Sequence, residues 1–304
     1  MGDFLINKGQ TFHKSTLLKI HDEIYNKMNQ KYIDVFLCGG ASSKQNISVR
    51  DKIREGLKGF GNIRVLYPED LFIEMLNKDK DYDLLSLERF LADNCDIICI
   101  VCESAGSLVE LGAFTNNDNT VDKVIALIQE QRKRQKSFIM LGPVKILRKK
   151  GKERVIFYNE QLDGINEKLK KAFEKNLKQS KDIKSGSYKP VNTLLGLYYF
   201  IALILYFFKK IDMEVLKTSL KTLFKEKGYG IEDFDTLFRP SLKLLYKDKF
   251  ISSNIVEGKT LYNLTEKGYK TVNNQLLKID TKGKNILYDS IRLGIIRYNY
   301  YRSF

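Results

Sequence analysis

Asp96-Ile97-Ile98-Cys99-Ile100-Val101-Cys102, followed at once by Glu103-Ser104-Ala105-Gly106-Ser107-Leu108-Val109-Glu110-Leu111-Gly112-Ala113-Phe114, decides the fold. After Asp96 the next six residues are apolar at consecutive positions and rich in β-branched side chains. Such a strand is buried on both faces, as a central strand of a parallel sheet must be. The second segment leaves the carboxyl end of that strand and enters a helix.

Working upstream, Tyr32-Ile33-Asp34-Val35-Phe36-Leu37-Cys38 is another β-rich run, closed by Gly39-Gly40. Residues 48–58 read as a helix. Ile63-Arg64-Val65-Leu66-Tyr67 is a second strand, stopped by Pro68, and residues 69–77 and 83–94 suit helices. Downstream, Lys123-Val124-Ile125-Ala126-Leu127-Ile128 is a further strand. The alternation predicts an α/β fold, a doubly wound parallel sheet over 31–160. Ligands of such folds bind beyond the carboxyl ends of the strands.

The flanks differ. Residues 1–30 read as an N-terminal helical arm, and 161–190 as a lysine-dense helix and linker ending in Ser185-Gly186-Ser187-Tyr188-Lys189-Pro190. From 191 to 304 the pattern is an apolar helix (192–208), a helix after Asp212 (213–226) and a third around Phe234–Tyr246. A strand–turn–strand bent at Gly258 follows, and Thr265-Glu266-Lys267-Gly268 opens a last helix. Three helices and a β-hairpin are the layout of an α+β winged helix-turn-helix domain, here with a C-terminal helical tail. The apolar run Leu194–Phe208 falls short of the roughly 20 residues that span a bilayer, and reads as a buried helix.

Charge divides the chain as well. Net charge is +15 over 304 residues. Residues 1–120 carry 14 basic and 18 acidic side chains, whereas 121–304 carry 38 and 19. An acidic front and a strongly basic back suggest two tasks, the second facing a polyanion; a solvated lysine-rich surface is the plainer alternative. The clusters are Arg132-Lys133-Arg134-Gln135-Lys136 and, around the second, Lys145, Arg148, Lys149 and Lys150. Phosphate contacts from such side chains give salt-dependent, largely sequence-independent binding. The C-terminal Arg297–Arg302 interleaves basic and aromatic residues, and suits a docking helix better than a stacking surface.

Two histidines, His13 and His21, make a Ser-His-Asp triad or a histidine-rich metal site improbable. The four cysteines lie in or beside apolar runs without metal spacing, as buried thiols of a reducing compartment. Met1-Gly2-Asp3-Phe4 opens no basic-then-apolar leader, so a cytoplasmic protein is expected. Catalysis must then rest on carboxylates, hydroxyls or backbone donors. In the Glu103–Phe114 segment, Gly106 permits a tight turn, and Ser107 and Glu110 have capping-box spacing. From that motif alone Glu110 is equally a cap partner and a catalytic carboxylate. Gly39, Gly40, Tyr67, Glu69 and Asp70 lie at the ends of neighbouring strands and should border the same crevice.

Carboxylates around a sugar-sized pocket suit glycosidic chemistry, whose transition state is oxocarbenium-like. A cationic nicotinamide leaves neutral and needs no general acid. Glu110 is then the nucleophile or the stabiliser of the cation, with Glu103 and Glu88 as contacts for sugar hydroxyls.

At these residues the sequence resembles the nucleoside deoxyribosyltransferase-like effectors of bacterial retrons. The resemblance runs through Phe36–Gly40, Tyr67–Phe72, Leu85–Glu88, Glu103–Phe114 with Asn116-Asn117, and Gly142-Pro143-Val144 with Leu147-Arg148-Lys149. Ala105 stands where that family's turn has proline. The resemblance implies an N-glycosidase toxin, with NAD as substrate and no separate cofactor. It places Glu110 on the catalytic Glu-Leu-Gly position, and Ser104, Gly106, Ser107, Asn116 and Asn117 among the substrate contacts. It implies restraint by a retron reverse transcriptase and its msDNA, an RNA–DNA hybrid, and leaves room for a homo-oligomer or filament. A nucleotide-binding transcriptional regulator and a deoxyribosyl transferase are the alternatives.

Overall fold

The computed structural model describes residues 13–67, 94–181, 189–232, 234–279 and 283–302. The helices expected over 69–77 and 83–94 lie almost wholly outside them, as do Glu69, Asp70 and Glu88. The chain forms two compact units. One runs from Tyr32 to Tyr188, and the other joins the chain up to Lys31 with everything from Lys189 onward. A helix over 13–31 (α1), π-helical at Ile20–Tyr25, therefore packs with the C-terminal unit.

The first unit follows the expected alternation: β1 Ile33–Cys38, α2 Val49–Leu57, β2 Ile63–Leu66, β3 Ile97–Val101, α3 Ala105–Thr115 and β4 Val124–Gln129. Then come α4 Phe138–Leu141, α5 Pro143–Lys150, β5 Val155–Tyr158 and α6 Ile165–Lys181. All five strands are parallel, in the order β2-β1-β3-β4-β5. Every residue of β1 and β3 is buried. On one face Val35, Leu37, Cys99, Val101, Ile125 and Leu127 pack with residues of α2 and α6. The alternate residues Phe36, Ile98, Ile100 and Ala126 are equally buried, and α3 and α5 pack on β3, β4 and β5. Two covered faces explain why these strands are apolar at both parities.

One polar pair interrupts that core. Asp34, fully buried in β1, receives two bonds from Arg64 of β2, at 2.6 and 2.9 Å, and the Arg64 guanidinium lies 4.7 Å from the centre of the Tyr32 ring. Asp34 and Arg64 are register partners across β1 and β2, so the pair ties the edge strand to the centre.

In the second unit α7 Leu194–Phe208 is buried along all but its last residue, as a core helix. No described helix is long and apolar enough to cross a membrane. Next come β6 Lys210–Asp212, α8 Met213–Glu226, α9 Phe234–Lys247, the hairpin β7 Ile251–Val256 and β8 Lys259–Leu264, α10 Glu266–Leu277 and α11 Lys284–Arg302. The strands form an antiparallel sheet in the order β6-β8-β7. Asp212 caps α8 and Thr265 caps α10 with their side-chain oxygens. Gly268 is required, since a Cβ there would lie 2.2 Å from the Phe250 carbonyl oxygen. α11 docks with Leu287, Ile291 and Ile295, and Tyr298 stacks on His13 at 4.1 Å. His21 is buried beside Tyr25 and Phe200. Both histidines thus serve the packing of α1 within this unit.

Candidate active site at the carboxyl end of the sheet

The strand order reverses between β1 and β3, so the loops leaving these two strands diverge and a crevice opens at their carboxyl ends. Glu103, just past β3, stitches the two loops together. One carboxylate oxygen accepts from Gly40 N at 3.2 Å and Arg50 N at 3.0 Å, and the other from Val49 N at 2.8 Å. The first amides of α2, which in many α/β folds face a ligand phosphate, here face a resident carboxylate. Gly39 makes this approach feasible. Its φ is +153°, and a Cβ would meet those of Arg50 and Val101 at 3.1 Å. Gly39, Gly40 and Glu103 therefore build the floor of the crevice, and Glu103's carboxylate, expected on a sugar hydroxyl, is engaged with backbone.

The start of α3 differs from its expected form. The cap is Ser104, not Ser107. Ser107 N donates to Ser104 Oγ at 3.2 Å, and Ser104 N donates to Ser107 Oγ at 3.1 Å, a reciprocal box closed by two serines. Gly106 is an ordinary helical residue of the first turn, with open space where a Cβ would stand, and the same holds at Gly112. Neither glycine serves a tight turn or a close packing contact. Because Ser107 fills the box position, Glu110 has no part in the cap. It falls in the second turn of α3, partly exposed, with Oε2 buried. Its charge, with that of Arg132, acts on the Cys102 thiol.

Burial pushes the Cys102 thiol up to about 12, so it is no thiolate at neutral pH. Tyr158, the last residue of β5, is also pushed up to about 12, first by burial and then by the charge of Glu103. Arg132 opposes both shifts. It lies in a 3₁₀ turn, Glu130–Arg132, directly after β4. On the other flank, Tyr67 donates to Asp51, which also accepts from Ser42. These bonds hold the Asp51 carboxyl below its usual range, and the guanidinium groups of Arg50 and Arg54 each lie 4.3 Å from the centre of the Tyr67 ring.

The carboxyl end of the sheet thus carries Gly39, Gly40, Tyr67, Glu103, Ser104 and Ser107, with Glu110 one turn into α3. It does not gather Asn116 and Asn117. α3 runs back antiparallel to the strands, and its eleven residues carry its far end about 16 Å from the cap. Asn116 caps that far end, and Asn117 Oδ1 accepts from Asn119 N at 2.8 Å in the turn leading to β4. Composition alone grouped Arg132 with its basic neighbours, and gave no sign of Tyr158. A cavity of about 460 Å³ in the other unit is lined by one face of α1, Lys14 to Glu23, and gathers none of these residues.

The remaining basic residues form a different surface. Lys133, Arg134, Lys136, Lys145, Arg148, Lys149 and Lys150 are exposed. Lys133 and Arg148 both flank the Phe157 ring, and Lys150 pairs with Asp122 at 2.8 Å. Phe138, 86% exposed, and Leu141 stand on α4 between the two clusters.

The profile of the family described as "STM3845 retron effector protein" matches residues 46–253, well over half of the chain. The chain is similar to two Escherichia coli proteins. It is 43% identical over 117 residues to "Retron Ec86 putative ribosyltransferase/DNA-binding protein", covering 38% of this chain and 38% of that protein. It is 29% identical over 147 residues to "Retron Ec73 putative ribosyltransferase/DNA-binding protein", covering 44% and 46%. The chain thus aligns with less than half the length of either relative. By the extent of the family match, it belongs to the STM3845 retron effector family.

Proposed function

We propose that this retron effector is an N-glycosidase of the nucleoside deoxyribosyltransferase-like type, acting on the nicotinamide–ribose bond of NAD through Glu110. The observation that carries this reading is the serine-only cap of α3. Two serines close that cap between themselves, and Glu110 stands one turn further along α3, near enough to the carboxyl end of β3 for its charge to act on the Cys102 thiol. The names of the two relatives, each printed as "putative ribosyltransferase/DNA-binding protein", support the same bond class.

The Glu110 carboxylate attacks C1 of the ribosyl ring, or holds its oxocarbenium charge, as the C–N bond breaks. The bonding electrons go to the pyridinium ring, which leaves as neutral nicotinamide. Water then attacks C1, the carboxylate leaving C1 with its bonding pair where it had formed a bond, and the water's proton goes to the carboxylate or to solvent. Glu103 holds the β1 loop and α2 in register beneath that carbon.

We read α7, α8, α9 and the β7–β8 hairpin of the second unit as a winged helix-turn-helix. With the exposed Lys133–Lys150 surface, it supports contact with a retron reverse transcriptase and its msDNA, which would restrain the toxin. Incubation with NAD tests the catalytic part. Glu110→Gln should lower turnover about 100-fold or more, the range seen when an electrostatic contact to a transition state is removed. Equal turnover by the two proteins would remove Glu110 from the mechanism.

A further inference from the structure

We propose that the outer edge of the β7–β8 hairpin is a self-pairing surface, on which β7 of a second copy of this chain adds antiparallel about a two-fold axis at Ser253. The surface lies in the second unit and does not depend on the glycosidic reading above.

The antiparallel sheet ends in β6 on one side and in β7 on the other. A sheet edge presents unpaired N–H and C=O groups, and proteins that stay single blunt it with shortness, charge, proline or a bulge. β6 is blunted, being three residues long and carrying Lys210 and Asp212. β7 is not. It has six residues, Ile251-Ser252-Ser253-Asn254-Ile255-Val256, without a charge or a proline. Its register with β8 runs unbroken from Ile251–Leu264 to Val256–Lys259, so no bulge bends it.

The ladder shows which groups face outward. Thr265 N donates to Phe250 O at 2.9 Å. Bonded and non-bonded pairs alternate along an antiparallel ladder, so Ser252, Asn254 and Val256 turn their backbone groups to β8. Ile251, Ser253 and Ile255 turn theirs away, and among the described residues no strand pairs with β7 on that side. From Ser253 onward the strand is exposed, Ile255 by 78% and Val256 by 49%.

A two-fold axis at Ser253 sets its N–H and C=O against those of Ser253 in the second copy, and sets Ile251 against Ile255 at either end. The exposed Ile255 then lies beside Ile251, a buried residue at the rim of the other copy's core, and Val256 lies beside Phe250. Ser252 faces Asn254. Glu257, in the hairpin turn, comes to the end where Lys249 of the other copy stands, and both are exposed. From Lys249 to Glu257 the segment is thus its own complement, apolar on apolar, polar on polar and acid on base. Nucleic acid fits this edge poorly, because Lys259 is the one cation from Phe250 to Leu264 and phosphate binding draws on several.

Sedimentation of the full chain across micromolar concentrations tests this, and should show monomer in equilibrium with dimer. Ile255→Glu, at a side chain too exposed to matter for folding, should weaken the dimer about 10-fold or more by bringing charge to the edge. Glu257→Lys should weaken it as well, and adding Lys249→Glu to the same chain should recover the loss. Ser253→Cys reads the register. Facing residues of a bonded pair stand about 5.5 Å apart at Cα, within disulfide reach, so mild oxidation should cross-link two chains. Ser252→Cys, which faces Asn254, should not cross-link, and the chain's own four cysteines are buried. A dimer indifferent to Ile255→Glu and not cross-linked through Ser253→Cys joins elsewhere and overturns the proposal. A chain that stays monomeric overturns it too. The edge then belongs to an extended segment of another protein or, if Ile255→Glu weakens binding of a duplex DNA probe, to nucleic acid.

Discussion

Glu103 and Glu110 are seven residues apart and chemically alike, yet their surroundings divide their work. Three backbone N–H groups converge on Glu103, so its carboxylate is a structural anion at the start of α2. Such bonds to a charged acceptor contribute about 1.5–3 kcal/mol each. Glu103→Ala should therefore lower thermal stability, whereas Glu110→Gln should leave the melting temperature within a degree or two of the wild type. Parallel melting curves would check this, and a Glu103→Ala protein as stable as the wild type would refute the anchoring role. The sequence made both glutamates visible, Glu110 as the candidate at C1 and Glu103 as a hydroxyl contact, but gave no sign of the three amides that hold Glu103. Serines at 104 and 107 and a glutamate at 110 present two overlapping box spacings, and only the backbone decides that Ser104 is the cap. Arg132 was hidden for a similar reason. Within Arg-Lys-Arg-Gln-Lys each cation looks alike, and only the fold partly buries Arg132 while leaving the others exposed.

At the scale of elements, β1 and β3 were legible because burial on both faces leaves a mark in every residue. The capped helices after Asp212 and Thr265 were equally plain, since the capping side chains stand next to the helices they start. β6 has three residues and α4 has four, too short for any periodicity to register. The Asp34–Arg64 pair shows what a strand pattern conceals: one charge in each of two neighbouring runs otherwise read as apolar. Its geometry predicts that Arg64→Ala, which removes both guanidinium bonds from a fully buried carboxylate, costs about 3–5 kcal/mol, a loss that denaturant unfolding would measure. Replacing both residues with apolar ones of similar volume should recover most of it. A loss below about 1 kcal/mol for Arg64→Ala would mean that the pair does not hold β2 to β1.

For the whole molecule, the uneven charge was the earliest sign of two tasks, and the family match extends across both units. Charge counts do not say which lysines act together, but α5 does, by exposing Lys145, Arg148 and Lys149 while burying Pro143, Val144 and Leu147. If this surface meets single-stranded nucleic acid, changing those three cations to glutamine should weaken binding. It should also flatten the plot of log affinity against log salt by about 2, at roughly 0.7 per phosphate contact. An unchanged slope would place the polyanion elsewhere. The account as a whole stands on a single bond-breaking event, and proton NMR follows it directly. Free nicotinamide should accumulate when NAD is mixed with wild-type protein and stay at the buffer background with folded Glu110→Gln. Nicotinamide released at the same rate by both would contradict the account at its centre.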